Sequence, residues 1–411
     1  MQKQFFVLAV AAVISVPAVA DVQVGPVIIY GKADLSYDQV KTGVATNGTP
    51  GISQSRVSSN STYIGFKGQE GFEGGVAVVW QIESTVLAGN SGGNGTTNNG
   101  YLGTRNTYLG LASADVGTVL AGRYDTPYKL STRRLDQFTD GIADNRSIMG
   151  GGTITKFAGT ALAPVNGFTS TTYNGALTSF DNRQDNAIAY ISPSWSGVTV
   201  AVVHANLSVG SATQINSPAS AAGTNNQSIT SMAVWYDANG VFATAAYEVH
   251  DNFGFVSAAL PVQIGESAAK VGFGYTRAGI FSLGVEAERT SDNAGPNNSN
   301  LLGHNAYYVG GRYYFTPANY VKIAYARAGS ESGVAKTGAR QISLGFDHDL
   351  SKTTAVYVLY SQISNEANAA YSFANVASAS TGGSSGSATS STLTGAGASP
   401  SVLAVGLRKT F

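Results

Sequence analysis

Histidine does proton transfer, nucleophile activation and metal binding near neutral pH, and the chain has four: His204, His250, His304 and His348. They lie in separate segments, with no His-x-x-x-His spacing and no capping carboxylate arrangement between them. Asp347-His348-Asp349 sets three donors side by side, but it falls at an expected short turn and reads as a solvated turn. Serines are abundant, yet none sits in the G-x-S-x-G elbow that exposes a nucleophile between strand and helix. The runs GGNG and GGG lack the lysine and the strand-to-helix setting of a phosphate loop. No catalytic residue, metal ligand or cofactor is assigned, and the chain is not expected to be an enzyme. What remains is fixed charge. The stretch KLSTRRLDQFTDGIADNRSIMGGG carries Arg133, Arg134, Asp136, Asp140, Asp144 and Arg146 within fourteen positions. Mixed charge on one segment, set opposite a wall of opposite charge, makes a transverse field that sorts ions and small polar solutes without bond chemistry.

The segments that must hold such charges alternate with period two, as strands do. KVGFGYT sets Val271, Phe273 and Tyr275 against Lys270, Gly272, Gly274 and Thr276. FSLGVEAE sets Phe281, Leu283, Val285 and Ala287 against Gly284, Glu286 and Glu288, and AYYVGGRYYF sets Tyr307, Val309, Tyr313 and Phe315 against Tyr308, Gly310 and Arg312. The polar faces mix charge with glycine, and the apolar faces carry tyrosine toward strand ends, as the aromatic girdles of membrane barrels do. Sixteen strands are expected, near 26–40, 57–70, 75–88, 102–112, 118–127, 183–192, 198–207, 228–236, 241–250, 267–276, 281–290, 305–315, 320–329, 339–348, 353–363 and 400–411. Their connections alternate long and short, eight long and seven short, which puts every long loop at one rim. The short ones carry turn chemistry in SADVG, DANG and TPAN. The low-complexity stretches at 89–100 and 376–399 fall in long loops. The third long connection, 128–182, has no periodicity of its own across 55 residues, and a segment of that length is functional or disordered. Because sixteen strands enclose a lumen too wide for wall side chains to fill, this segment is expected to fold inward.

The two ends and the composition fix the compartment. MQKQFFVLAVAAVISVPAVA has a basic start at Lys3, an apolar run, Pro17 and Ala18-Val19-Ala20 before Asp21. That order marks residues 1–20 as a secretory signal peptide, which leaves 21–411 as one domain. The chain has 411 residues, no cysteine, 50 glycines and 12% charged residues. An exported chain without cysteine uses no disulfides. Its 24 basic and 24 acidic residues become 23 against 24 once Lys3 is removed, so nothing electrostatic points to nucleic acid. No apolar run past the signal reaches the roughly 20 residues of a spanning helix, so a membrane-spanning form has to be a closed barrel. The other end, SVLAVGLRKTF, aligns Leu403, Val405 and Leu407 with the terminal Phe411 on one strand face, where they would meet lipid.

VIIYGKADLSY, STYIGFKGQEGFEGGVAVVWQIES, RNTYLGLASADVGTVLAGRYDTPY, RQDNAIAYISPSWSGVTVAVV, ISLGFDHDLSKTTAVYVLYS and the closing GLRKTF resemble the Gram-negative general porins, especially the β-proteobacterial type. The resemblance implies an all-β fold, a 16-stranded antiparallel transmembrane barrel with short periplasmic turns, long extracellular loops and a third loop folded into the pore. It implies an outer-membrane homotrimer with a water-filled channel for passive diffusion of small hydrophilic solutes and ions, its subunits meeting near the first strands. It also implies that Phe411 belongs to a signal read by the barrel-assembly machinery. Arg105 aligns with a wall arginine of the family, and Tyr63 stands where the family usually carries arginine. On parity Lys67 faces the lumen with Tyr63, and Arg183 shares a face with Asp185 opposite Ile188 and Tyr190. The expected constriction is therefore Tyr63, Lys67, Arg105, Arg123, Arg133, Arg134, Asp136, Asp140, Asp144 and Arg183. The trusted lumen faces carry Lys32, Lys67, Arg183, Lys270, Arg312, Lys322 and Arg408 against Asp34, Glu83, Asp185, Glu286 and Glu288, a lean toward anions that the loop aspartates oppose. The alternatives are an outer-membrane β-barrel hydrolase, which a covalent serine-hydrolase probe would reveal, and a secreted β-rich adhesin, which would not fractionate with the outer membrane.

Overall fold

The computed structural model describes residues 22–24, 27–86, 102–150, 180–206, 228–257, 260–293, 299–373 and 395–411. The signal segment, most of the stretches at 89–100 and 376–399, and positions 151–179 of the third connection lie outside the described residues. The strands are β1 (Val22–Val24), β2 (Val27–Lys41), β3 (Ser53–Ser59), β4 (Tyr63–Gly71), β5 (Val76–Thr85), β6 (Thr107–Ser113), β7 (Gly117–Asp125), β8 (Arg183–Ile191) and β9 (Val198–Asn206). They continue with β10 (Ser228–Ala238), β11 (Val241–Ser257), β12 (Leu260–Arg277), β13 (Phe281–Asp292), β14 (Asn305–Thr316), β15 (Asn319–Ala328), β16 (Ala339–Ser351), β17 (Thr354–Asn365) and β18 (Ser401–Thr410). One helix, α1 (Pro127–Thr132), opens the third connection.

Each strand pairs antiparallel with its sequence neighbours, and β18 returns to β2 in the register Lys41↔Ser401 through Lys32↔Thr410, so the sheet closes on itself. β3 and β4 are two halves of one wall strand against β2, broken at Asn60 and Ser61, and β1 is a three-residue hairpin on the start of β2. The wall is therefore a closed barrel of sixteen antiparallel strands. Closure removes the unpaired edge, which is what allows strands to sit in lipid. Asn239 and Gly240, both at positive φ, form the two-residue link between β10 and β11 that the DANG stretch announced.

The two faces of this wall invert the arrangement of a soluble protein. Phe273, Leu283, Ile323 and Val405 are about half exposed on the outer face, whereas Glu286 and Lys322 are nearly buried on the inner one. A sandwich with a dry apolar core would bury the first set and expose the second, so the adhesin-like sandwich is excluded by the parity. Two expectations need correction. Positions 251–257 and 260–266 are not loop, because β11 and β12 run on through them with a register shift between His250 and Phe253 and pair as far as Ser257↔Leu260. Asp347-His348-Asp349 is not a solvated turn, because all three lie within β16 and Asp347 is fully buried.

Candidate functional site in the barrel lumen

The third connection leaves β7 as a helix whose start is written in Thr126-Pro127. The Thr126 hydroxyl accepts the Lys129 amide at 3.3 Å, and proline at the first position gives up a donor the helix would not use. The segment then lies along the inner wall from β10 to β17, held by groups from many strands. Tyr128 donates its amide to Ser231 Oγ at 2.9 Å and its hydroxyl to Glu288 at 2.8 Å. Asp136 accepts the amides of Phe138 and Asn145 and the hydroxyl of Tyr308, while the Asn145 amide side chain donates to Glu286 at 3.1 Å. The Gly150 amide donates to Glu288 at 2.9 Å, and Gln341 donates to the Ala143 carbonyl at 3.2 Å.

The inward glycines are what make room for it. A Cβ on Gly272 or Gly274 would stand 2.5 or 2.6 Å from the Leu135 side chain, and one on Gly284 would stand 2.5 Å from the Leu135 carbonyl oxygen. A Cβ on Gly345 would meet the Phe138 ring at 2.9 Å. Glycines that alternated with apolar residues in the sequence thus form the bed of the loop. Where the connection returns to the wall, Phe180 stacks on His250 at 4.4 Å, and the next residue, Asp181, takes Lys270 Nζ at 2.6 Å. His250 itself bridges two carboxylates, 2.6 Å from Glu266 and 2.9 Å from Glu248, all buried. This corrects the expectation that no carboxylate arrangement caps a histidine; the Glu248-Val249-His250 alternation was the available signal.

The loop's other face carries charge toward the opposite wall. Arg133 pairs with Asp140 at 2.6 Å and with Asp144 at 3.0 Å, and Arg146 meets Asp144 at 3.0 Å and Asp140 at 3.5 Å. Across the lumen, Arg105 pairs closely with Glu83 and lies 4.7 Å over the Tyr63 ring. Glu83 also accepts the Tyr30 hydroxyl at 2.9 Å, and Lys67 lies 4.9 Å over the Tyr30 ring. Lys32, on the same side of the barrel, stands 3.9 Å from Asp34. Burial pushes the Asp140 carboxyl up, but Arg133 chiefly, then Lys32, Arg146 and Arg105, hold it well below the ordinary carboxylate range. Lys32 and Arg105 thus feel the loop's acid across the gap. Burial likewise opposes ionisation of Asp144, and Arg133 and Arg146 outweigh it to keep Asp144 low. Asp136 is the exception: burial first, and then the charge of Asp144, push it up to about 6. Burial pulls the Lys129 ammonium down to about 7 against the favourable charge of Asp125.

Tyr63 and Arg105 therefore lie on one wall within reach of the Asp140 charge, and Lys67 stands on the same wall over Tyr30. Asp136 turns back to the wall as an anchor. Arg134 reaches away to Asp237, near the short-turn rim, and lies 4.4 Å over Phe242. Arg183 is displaced from its expected face. Tyr124 pairs with Gln184 and Gly122 with Ala187, so Asp185 and Asn186 together oppose Arg123, and Asn186 takes a positive φ. This bulge shifts the parity by one. Arg183 no longer shares the face of Ala187; it sits at the root of the loop, bonded to Asp125 at 3.0 Å and Asn106 at 2.7 Å. Arg123 has the outward parity of the exposed Val119 and pairs with Asp185 at 2.5 Å, so neither joins the lumen group. Glu83, Tyr30 and Lys32 lie in the same wall group and were absent from the expected constriction set, although inward parity on β2 and β5 offered all three.

Among the described residues no helix is long and apolar enough to cross a membrane, and no group of His, Asp and Glu could hold a metal ion. The profile of the Gram-negative porin family matches residues 7–368. The chain is similar to the major outer membrane protein P.IB of Neisseria lactamica, with 26% identity over 369 residues that cover 87% of this chain and 92% of the relative. Its fold is similar to that of the anion-selective porin from Comamonas acidovorans, with a TM-score of 0.67, 19% identity and coverage of 94% of this chain and 99% of that one. It is also similar to the trimer form of OmpT from Vibrio cholerae, with a TM-score of 0.54, 14% identity and coverage of 95% and 100%. The lumen lined by opposed charge, the inverted faces of the wall and the match over most of its length agree: the chain belongs to the Gram-negative porin family and forms a channel in the outer membrane.

Proposed function

We propose that the narrowest part of this channel lies between the loop residues Arg133, Asp140, Asp144 and Arg146 and the wall residues Lys32, Tyr63, Lys67 and Arg105, and that it passes small hydrophilic solutes with a preference for anions. The observation that carries this reading is the placement of Asp140, which two loop guanidiniums and the facing Lys32 and Arg105 hold ionised across the lumen. Fixed charges of both signs on opposite sides orient polar solutes, and a surplus of cations on the wall favours anions. The likeness to an anion-selective porin supports the direction. Recording single channels in planar bilayers under a salt gradient tests it: the zero-current potential should have the sign of anion preference, and the opposite sign overturns it. The work is positional and electrostatic, so the protein acts without an enzymatic step.

The same reading takes residues 1–20 as a cleaved leader, residues 21–411 as one barrel, Phe411 as part of the signal for the barrel-assembly machinery, and the working unit as a homotrimer. The trimer form of a structural relative supports the last point. So does the Arg123–Asp185 pair, which stands on the outward parity of β7 and β8, where lipid would make charge costly and a neighbouring subunit would not. Oligomer mass in mild detergent, before and after heating, decides it. A trimer should collapse to one-third of its mass, and a monomer throughout ends the proposal.

A further inference from the structure

On the short-turn side of the loop, the inner faces of β14 to β18 carry a second charge group that the constriction does not use. Arg312 stands directly opposite Lys322, and Arg408 lies nearby on β18. One fully buried carboxylate, Asp347, serves two of these three cations: Lys322 Nζ at 2.8 Å and Arg408 Nη2 at 3.2 Å. Arg312 makes no ion pair among the described residues. Its Nη1 donates to the Tyr314 hydroxyl at 3.3 Å, its guanidinium lies 5.1 Å over the Tyr320 ring, and its Nε has no acceptor. The arrangement is built from aromatic supports. Tyr320 and Tyr357 flank Asp347 in register, Arg408 lies 5.9 Å over Tyr357, and Lys322 lies 4.8 Å over the Phe138 ring of the loop. The other acids whose charge reaches this face are Asp34, opposite Arg408 in register on β2 and shared with Lys32, and Asp349, toward the rim. Asp347 pairs with Lys322 and Arg408, and Asp34 lies opposite Arg408, so among the three cations Arg312 is the one whose guanidinium meets no carboxylate within ion-pair distance among the described residues.

An aromatic face holds a guanidinium in place without neutralising it. The planar fork that remains matches an oxyanion, which it binds in a bidentate way that a halide cannot reproduce. We propose that Arg312, with Lys322 and Arg408 beside it, forms a binding site for small oxyanions of the carboxylate or phosphate type, a waypoint between the constriction and the short-turn rim. Arg312 lies four residues beyond Tyr308, the loop's anchor on the same strand face, or about 13 Å toward that rim. This inference rests on the channel reading and goes beyond its general preference for anions, because it separates oxyanions from chloride.

The test is single-channel conductance of the assembled protein in sodium chloride, sodium acetate and sodium phosphate at matched ionic strength. Conductance should saturate with acetate or phosphate concentration and stay near linear in chloride. In Arg312→Gln the half-saturating concentration should rise about tenfold, the effect of losing roughly one good charge-assisted contact. Arg312→Lys, which keeps the charge and loses the fork, should restore chloride conductance but not saturation. Lys352→Gln, at the exposed turn after β16, should leave both unchanged. Acetate saturating alone assigns a carboxylate site, and phosphate saturating alone assigns a phosphate site. Linear conductance in both oxyanions for the unaltered protein, or unchanged saturation in both Arg312 variants, overturns the proposal. Absence of any conductance in all three salts would instead count against the channel reading itself.

Discussion

Arg105 is held twice, by the Glu83 carboxylate and by the face of Tyr63, and it still acts on Asp140 across the lumen. A charge fixed in this way keeps its position when the local field changes, so its removal should alter ion preference rather than shape. Arg105→Gln is expected to move the zero-current potential toward cations, and Asp140→Asn to move it toward anions. Both shifts should shrink as salt rises, because exposed fields are screened within about 10 Å at 0.1 M. Equal potentials for the two variants in a low-salt gradient would show that these side chains do not face each other across the narrow part. Arg183 illustrates the opposite case. It is nearly buried and bonded to Asp125 and Asn106 at the root of the loop. Arg183→Gln leaves Asp125 with less compensating charge and should cost about 3 kcal/mol, the scale of a broken buried pair. The expected signature is a lower temperature for the heat-induced gel shift with ion preference unchanged. A clear change in selectivity without loss of heat stability would place Arg183 at the constriction after all.

The third connection is an element without repeating structure of its own, and its stability comes from the bed it lies on. Gly284→Ala inserts a methyl where the Leu135 carbonyl oxygen already stands 2.5 Å away, so the loop must lift. Overpacking of this kind typically costs 1–3 kcal/mol, and the expected readout is a changed conductance with noisy substates. Gly71→Ala, which meets nothing within 4 Å, serves as the control and should be silent. Protons should act on the same seat. Asp136 is pushed up to about 6 by burial and by Asp144, so its neutral form favours the seated loop. That contribution is complete below the carboxyl's ordinary value near 4 and is lost as pH rises through about 6. Asp140 and Asp144 are held low, so their contribution is present above that ordinary value and fades only in stronger acid. Between pH 5 and 7 the Asp136 effect governs: current noise should fall on acidification in the unaltered channel and stay flat in Asp136→Asn. Noise that tracks pH equally in both assigns the titration elsewhere. The strands of this wall were legible because lipid on one side and water on the other leave a strict two-residue period, and the glycine bed lay in the same alternation. Arg183 was not legible, because one extra residue at Asp185–Asn186 flips a face without changing composition. The His250 bridge was missed because its two carboxylates come from adjacent strands, and Glu266 fell in a stretch read as loop.

A closed barrel has no free edge, and its last seam is made by its first and last strands. β18 pairs with β2 along ten residues, and the pairing runs on to the final residue: Gly31 donates its amide to the Phe411 carbonyl at 2.8 Å and accepts the Phe411 amide at 3.1 Å. The ring of Phe411 covers the outer face of Gly31, where a Cβ would stand 2.6 Å from it, so the glycine is the seat of the terminal aromatic. Lys409 shares that outward parity and turns its ammonium to the Thr353 hydroxyl at 2.7 Å, beside the short turn, as a charge at a membrane interface does. The terminal phenylalanine is therefore a structural part of the seam as well as a candidate recognition signal, and the two roles separate experimentally. Deleting Phe411 removes two closing hydrogen bonds and the apolar cover, which together should cost a few kcal/mol. Barrel refolded from denaturant into detergent, where no assembly machinery is present, should show a lower heat-modification temperature for the deleted chain. In cells the loss of folded protein from the outer membrane should be larger still. Phe411→Leu keeps the backbone pairs and part of the cover, so it should refold nearly as well as the unaltered chain in detergent yet still assemble poorly in cells. Equal heat stability and equal outer-membrane yield for the deletion and the unaltered protein would remove both roles at once.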